Sequence, residues 1–244
     1  ALNLAAQGFE VHLVEKSDRL GGQGLKLNKT IEGKEVAPYL AQLIDQVERN
    51  ESIHVYLNTE VVAAEGFVGN YTSTLRSKDG STRQVDHGAV LMAIGAGEYR
   101  PKEYAYGQEP NVCTAMELEE ALKDGQRLAE ANRVVMIQCV GSRNDEHPYC
   151  SRICCSQAVK NALELKRRDP DREVWVLYRD VRTYGFTEDY YRKAREAGVL
   201  FIRFDEERPP QVVKEDGELY VTVTDPLVGQ EVALPADLVV LGTG

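Results

Sequence analysis

Apolar positions along this chain follow two periods that take turns. Short continuous or alternating runs rich in Val, Ile and Leu mark strands, and stretches with apolar residues every three to four positions mark helices. Runs at 9–15, 53–58, 133–139, 173–180, 199–204 and 236–244 predict buried strands. Helical spacing covers 2–7, ended by Gly8, and 36–49, where Val36, Leu40, Leu43 and Val47 share a face. It recurs at 114–125, 126–132, 156–168 and 188–198. A strand at 59–69 precedes a hairpin of 71–77 and 81–87 turning at Asp79 and Gly80, and a second hairpin joins 210–216 to 217–225. The apolar run 89–97 reads as another strand entering a glycine turn, and the polar, proline-containing stretch 98–112 reads as a linker. Strands alternating with helices indicate an α/β fold with parallel sheets under helical cover.

Length and charge narrow this picture. The 244 residues suffice for one large or two medium domains, each with its own core. A formal charge of -10 with a pI near 5.0 argues against nucleic acid as a partner, which needs a basic surface. Mean hydropathy is -0.38. No apolar run approaches the roughly 20 residues that span a bilayer. The first residues lack a signal peptide's basic end and cleavage site, and they lack an initiator Met. They read as mid-helix, so the chain is expected to be part of a longer protein. Five cysteines in an ordinary globular composition do not resemble a secreted disulfide scaffold, and a cytoplasmic, reducing setting is expected.

Two constellations carry chemistry. In the first, the strand at 9–15 ends in Glu15, and Gly21, Gly22 and Gln23 follow. A carboxylate ending the second strand of a Rossmann unit accepts hydrogen bonds from ribose hydroxyls, and glycines let backbone approach a bulky ligand. The matching phosphate loop is expected before Ala1. The alternative is an ordinary surface Glu ahead of a glycine turn. The second constellation is denser: Cys139, Cys150, Cys154 and Cys155, four of the five cysteines, lie between a predicted strand and a predicted helix. That crossover would carry a glycine-rich loop in a nucleotide-binding unit. Their spacing matches neither paired zinc knuckles nor a redox CxxC. The helix start and the nearby Arg143 and Arg152 favour thiolates. An iron–sulfur cluster, zinc, a dithiol/disulfide pair and plain core packing all remain open on the residues alone. Cys113, alone before a helix, reads as a packing residue, and His147 as a polar loop histidine.

The apolar strand 89–97, echoed by 236–244, gives the chain the arrangement of thioredoxin-reductase-like flavoproteins with two dinucleotide-binding domains. More specifically, the cysteine block with 178–204, the Glu15–Gln23 segment, 66–77 and 93–101 resembles the A subunit of heterodisulfide reductase over essentially the whole chain. The resemblance implies an incomplete FAD domain at 1–97, the linker at 98–112, and a nicotinamide-domain-like unit at 113–244. A further FAD segment would begin near Gly244. It implies FAD bordered by Glu15, Lys16, Gly21, Gly22, Gln23, Val62, Ala93, Ile94 and Gly95. It implies a [4Fe-4S] cluster on Cys139, Cys150, Cys154 and Cys155, and Lys160 as a catalytic cation beside the flavin, against a solvated helix lysine as the plain alternative. The function implied is electron transfer between FAD and the cluster. In the best-understood members, the flavin bifurcates electron pairs. The implied partners are other heterodisulfide-reductase-like subunits and an electron-donor module in a hetero-oligomer. Archaeal relatives carry an extra cysteine motif after the glycine turn, and longer members carry ferredoxin-type repeats. This stretch has neither. An NAD(P)H-dependent flavin reductase using a cysteine pair, and a zinc-stapled scaffold, are the rival readings.

Overall fold

The computed structural model describes residues 1–124 and 130–243. Two compact units emerge, Ala1–Leu25 with Glu35–Ala96, and Lys26–Lys34 with Gly97–Gly244. The first contains α1 (Leu2–Ala5), β1 (Val11–Val14), α2 (Val36–Glu48) and β2 (Ile53–Tyr56). β1 and β2 pair in parallel, Val11 opposite Ile53 through Val14 opposite Tyr56, as expected of strands joined by a helical crossover. An antiparallel meander follows: β3 (Thr59–Phe67), β4 (Asn70–Ser77) and β5 (Thr82–His87). The β4–β5 turn sits at the expected Asp79–Gly80 pair, where Gly80 has φ +88° and Asp79 Oδ1 accepts from the Ser81 amide at 2.9 Å.

Two expectations fail here. Residues 89–97, read as an apolar strand, have no regular structure, and Leu91, Met92 and Ile94 are exposed. An apolar run becomes a strand only where a sheet edge can take its amides. Among the described residues it pairs with neither β1 nor β2. Residues 98–112, read as a linker, belong instead to the second unit. Tyr104 and Tyr106 pack against the apolar side of its sheet, which is why this polar-looking stretch is held.

The second unit is built on a five-stranded sheet in the order β6 (Val112–Thr114), β13 (Leu238–Thr243), β7 (Arg133–Val140), β8 (Glu173–Tyr178), β9 (Leu200–Arg203). Every neighbouring pair is parallel. Side chains alternate between its faces with the strand period of two. Val134, Met136, Val174, Val176, Leu238 and Val240 point to one face, among residues of α3 (Ala115–Asp124), α4 (Cys154–Arg168) and α5 (Glu188–Glu196). Val135, Ile137, Trp175, Leu177, Val239 and Leu241 point to the other, against an antiparallel sheet of β10 (Gln211–Glu215), β11 (Glu218–Asp225) and β12 (Gln230–Ala236). Both faces are covered, so these strands read as unbroken apolar runs. Each such side chain contributes about 1.5–3 kcal/mol by leaving water. The second helical stretch expected at 126–132 lies largely outside the described residues, as does Gly244.

Candidate functional site

Strand β7 delivers Cys139 to the end of the sheet in an unusual way. Gln138 pairs with Gly242 and Val140 with Thr243, so Cys139 is the extra residue of a β-bulge. Its φ is +64°, left-handed backbone that costs a non-glycine residue energy and re-aims its side chain. Gly141 follows at φ +69°, where only glycine fits: a Cβ there would stand 2.1 Å from Cε1 of Tyr99. The loop then folds on itself, with the Arg143 amide donating to the Tyr149 carbonyl at 3.1 Å and the His147 amide to Asn144 Oδ1 at 2.7 Å. Arg143 and Arg152 also have positive φ, at +59° and +64°. Three strained non-glycine residues in one short loop are characteristic of a functional segment.

Helix α4 begins at Cys154, two residues earlier than its spacing predicts, and its N-cap Ile153 supplies no capping side chain. The thiols therefore sit in the first turn, where helix amides favour negative charge. The Cys154 thiol is brought down to about 6, mainly because the neighbouring Cys155 thiol donates to it, with Ser151 and backbone amides adding to the effect. Cys155, the donor in that pair and buried, is pushed up. Burial also raises Cys139, against the pull of Arg143. Cys139 feels the charge of Cys154, and Cys155 that of both, so these three thiols share one neighbourhood. Burial lifts Tyr104, close enough to feel Cys139, to about 12. Cys150 lies half-buried on the intervening loop, and no cysteine is in a disulfide.

A charged collar closes over the thiols. Arg143 donates to Cys139 Sγ at 3.8 Å and pairs with Asp180 at 2.7 Å. The Asp180 carbonyl accepts from Cys155 Sγ at 3.5 Å, and Arg179 donates to the Arg143 carbonyl at 2.8 Å. Of the two arginines expected near the thiols, Arg143 touches one and Arg152 faces solvent. Sequence reasoning missed Arg179 and Asp180, because they belong to the crossover after β8, and only the parallel order β7–β8 brings them across. The buried Cys113 ends up in the helix-side core, in keeping with its packing role.

Lys160, the expected cation beside the flavin, is engaged within the second unit. Its ammonium pairs with the fully buried Glu119 at 2.5 Å and donates to the Lys29 carbonyl at 2.9 Å.

The residues expected to border a dinucleotide all lie in the first unit, on three stretches of chain. Glu15 follows β1 directly and accepts from the Ser17 amide at 2.8 Å, which holds its carboxyl below the usual range. Lys16 is exposed beside it. Gly21 (φ +115°) and Gly22 (φ +49°) make the turn into the short 3-10 segment Gly22–Leu25, and Gln23 is exposed there. Val62 is the extra residue of a bulge in β3, where Val61 pairs with Leu75 and Ala63 with Thr74. Ala93, Ile94 and Gly95 lie in the irregular stretch after β5. The Thr59 amide donates to the Glu15 carbonyl at 3.0 Å, tying the meander to the carboxylate strand.

These residues fit both groups in chemistry. An ionised carboxylate at Glu15 and open space at Gly22 and Gly95 suit a nucleotide's ribose and a backbone-lined path. Thiols at a bulge, in a loop and at a helix start suit soft, thiolate-ligated iron. As the side chains stand, no three His, Cys, Asp or Glu among the described residues are gathered closely enough to hold a metal.

The family pattern of pyridine nucleotide-disulphide oxidoreductases matches residues 1–138, stopping one residue short of Cys139. The iron-sulfur A subunit of CoB–CoM heterodisulfide reductase from Methanocaldococcus jannaschii is 31% identical over 100% of this chain and 51% of the relative. The chain spans about half the length of the curated relatives it matches. Among solved structures, the copper(II) complex of the flavoprotein disulfide reductase RclA from Escherichia coli aligns with a TM-score of 0.56 at 13% identity, covering 100% of this chain and 53% of that one. Bacillithiol disulfide reductase Bdr from Bacillus cereus aligns with a TM-score of 0.50 at 16% identity, covering 100% and 73%. The fold is therefore that of the FAD-binding disulfide reductases, and the sequence resembles the heterodisulfide reductase A subunit from end to end. With more than half of its length inside the family pattern, the chain belongs to the pyridine nucleotide-disulphide oxidoreductase family.

Proposed function

We propose that this chain is the flavin- and cluster-bearing part of an electron-transferring oxidoreductase, working in a cytoplasmic complex like the A subunits it resembles. FAD would be held by Glu15 and Lys16, the Gly21–Gly22–Gln23 turn, Val62, and the Ala93–Ile94–Gly95 stretch. A [4Fe-4S] cluster would be held by Cys139, Cys150, Cys154 and Cys155. When bound, the flavin supplies paired and single electron steps and the cluster single ones. Partners would be further heterodisulfide-reductase-like subunits and an electron-donor module, and chemistry on the final substrate would belong to them.

The observation that carries this reading is the placement of Cys139 at the end of β7, under Arg143, and of Cys154 and Cys155 in the first turn of α4, within the one crossover where the family's nucleotide loop would lie. The chain's own residues have separable tasks. The bulge re-aims the side chain of Cys139, and the uncapped first turn of α4 favours thiolate at Cys154. Arg143 neutralises charge on Cys139 and is itself fixed by Asp180, an arrangement that raises the reduction potential of a thiolate-ligated centre. Glu15, kept ionised by Ser17, orients ribose hydroxyls. Lys160, paired with Glu119 and donating to the Lys29 carbonyl, fastens the 26–34 segment to α3 and α4 and is the cation that would stand nearest the flavin on the family resemblance.

Anaerobic spectroelectrochemistry on the full-length protein tests the reading. Two optical components should bleach on reduction, the flavin bands and a broad iron–sulfur absorbance. Cys154→Ser should keep the first and lose intensity from the second. An unchanged spectrum in that variant would defeat the proposal. Brisk NADPH oxidation by iron-free protein would favour thiol–disulfide exchange at Cys154 and Cys155.

A further inference from the structure

A cavity of about 430 Å³ opens in the second unit, well inside the range of about 300–1,000 Å³ typical of small-ligand sites. Asn161 and Glu164 of α4 line it, with Leu122 of α3, Tyr190 and Lys193 of α5, and residues 28–33. It is distinct from the thiol site. The cysteines occupy the first turn of α4, whereas this cavity follows the helix from its middle to its end. It is also set among helices and not at the carboxyl ends of the strands, where ligands of open α/β sheets bind.

Two buried amides border it without their hydrogen bonds. Asn161 is 1% exposed, and neither its Oδ1 nor its Nδ2 has a partner among the described residues. Asn28 is 8% exposed, and its Nδ2 has none either. Buried polar groups are almost always satisfied, so a pair of idle amides at one cavity indicates a missing partner. The charge there is as telling. Lys160 is closed on Glu119, and Lys29 and Arg167 on Glu164. Glu32, fully exposed at the rim, is hydrogen-bonded by the Thr30 hydroxyl. Among the described residues Lys166 donates to the Pro170 and Arg172 carbonyls, and Lys193 lies over the Tyr190 ring. Two cations therefore face this cavity with no carboxylate partner among the described residues, in a chain of net charge -10.

We propose that the cavity binds a purine mononucleotide, with its base on Asn161 and its phosphate on Lys166 and Lys193. A carboxamide presents an acceptor and a donor side by side, the complement of adenine N6 and N7. Leu122, Leu163 and the Tyr190 ring supply the apolar wall for the base. Asn161 and Lys166 are five residues apart on one helix, about 7.5 Å along its axis. Both side chains line the cavity, and that offset along the helix leaves room between them for the sugar of a mononucleotide. The 28–33 segment walls one side of the cavity, held at one end by the Asn28 backbone amide donating to Glu119 at 3.0 Å. The inference stands apart from the electron-transfer reading.

Calorimetric titration of the FAD-saturated full-length protein with AMP, adenosine and inorganic phosphate tests it. AMP should bind more tightly than either fragment. Asn161→Leu should weaken AMP and adenosine by at least about fivefold, and the exposed Lys193→Glu should weaken AMP while sparing adenosine. Unchanged flavin absorbance and thermal midpoint would show that both variants fold. No heat with AMP at millimolar concentration, phosphate binding as tightly as AMP, or Asn161→Leu leaving AMP affinity intact would each overturn the proposal.

Discussion

Cys139 and Gly141 stand two residues apart in left-handed backbone, for different reasons. Cys139 is held there by the bulge that breaks the β7–β13 register, at a cost of about 1–3 kcal/mol for a residue with a Cβ. Gly141 is there because the Tyr99 ring occupies the space of a side chain. Gly141→Ala should therefore lose stability twice, through its φ and through displacement of Tyr99. Gly185→Ala, at φ +59° with nothing within 4 Å, suffers only the first. Thermal denaturation of the two variants should show the larger drop for Gly141→Ala, and equal drops would mean that Tyr99 yields freely. The four thiols of the block were legible as residue types and spacing. The ring over Gly141 and the Asp180 carbonyl beneath Cys155 were not, because both come from distant chain with no local signature.

Among the elements, the strands of the second sheet were the most legible. Their alternating or continuous apolar pattern is enforced by a core on each face, so β7, β8 and β13 lie close to where the sequence puts them. Residues 89–97 have the same composition and no strand, since pairing depends on an available edge that composition does not encode. Asp237 ties β13 to β7. It accepts from the Asn132 and Arg133 amides at 3.0 and 2.8 Å and from the Arg133 guanidinium at 3.1 and 2.6 Å. These bonds, the guanidinium first, hold its carboxyl below the ordinary aspartate value of 3.8. A lowered folded-state pKa means the unfolded chain binds the proton more readily. The stabilisation is therefore full above about pH 4 and is lost as pH falls through the lower folded value. Urea unfolding should find Asp237→Asn less stable than wild type at pH 7, with the gap narrowing toward pH 3. A gap that stays constant with pH would show that the charge contributes nothing.

On the scale of the molecule, the chain forms two units, and residues 26–34 leave the first to join the second. That excursion had no signal in sequence because it depends on a buried Glu119 and Lys160, themselves 41 residues apart, recruiting backbone at 28 and 29. The family pattern ends at residue 138, and the thiol-bearing crossover begins immediately after it. The central claim is that this crossover holds iron where its family holds a nucleotide. Iron and acid-labile sulfide, counted anaerobically in the full-length protein and in Cys139→Ser, Cys150→Ser, Cys154→Ser and Cys155→Ser, test it most directly. A loss of about four irons per chain with matching sulfide is predicted in the variants. Iron and sulfide unchanged in all four, or the loss of a single zinc instead, would contradict it.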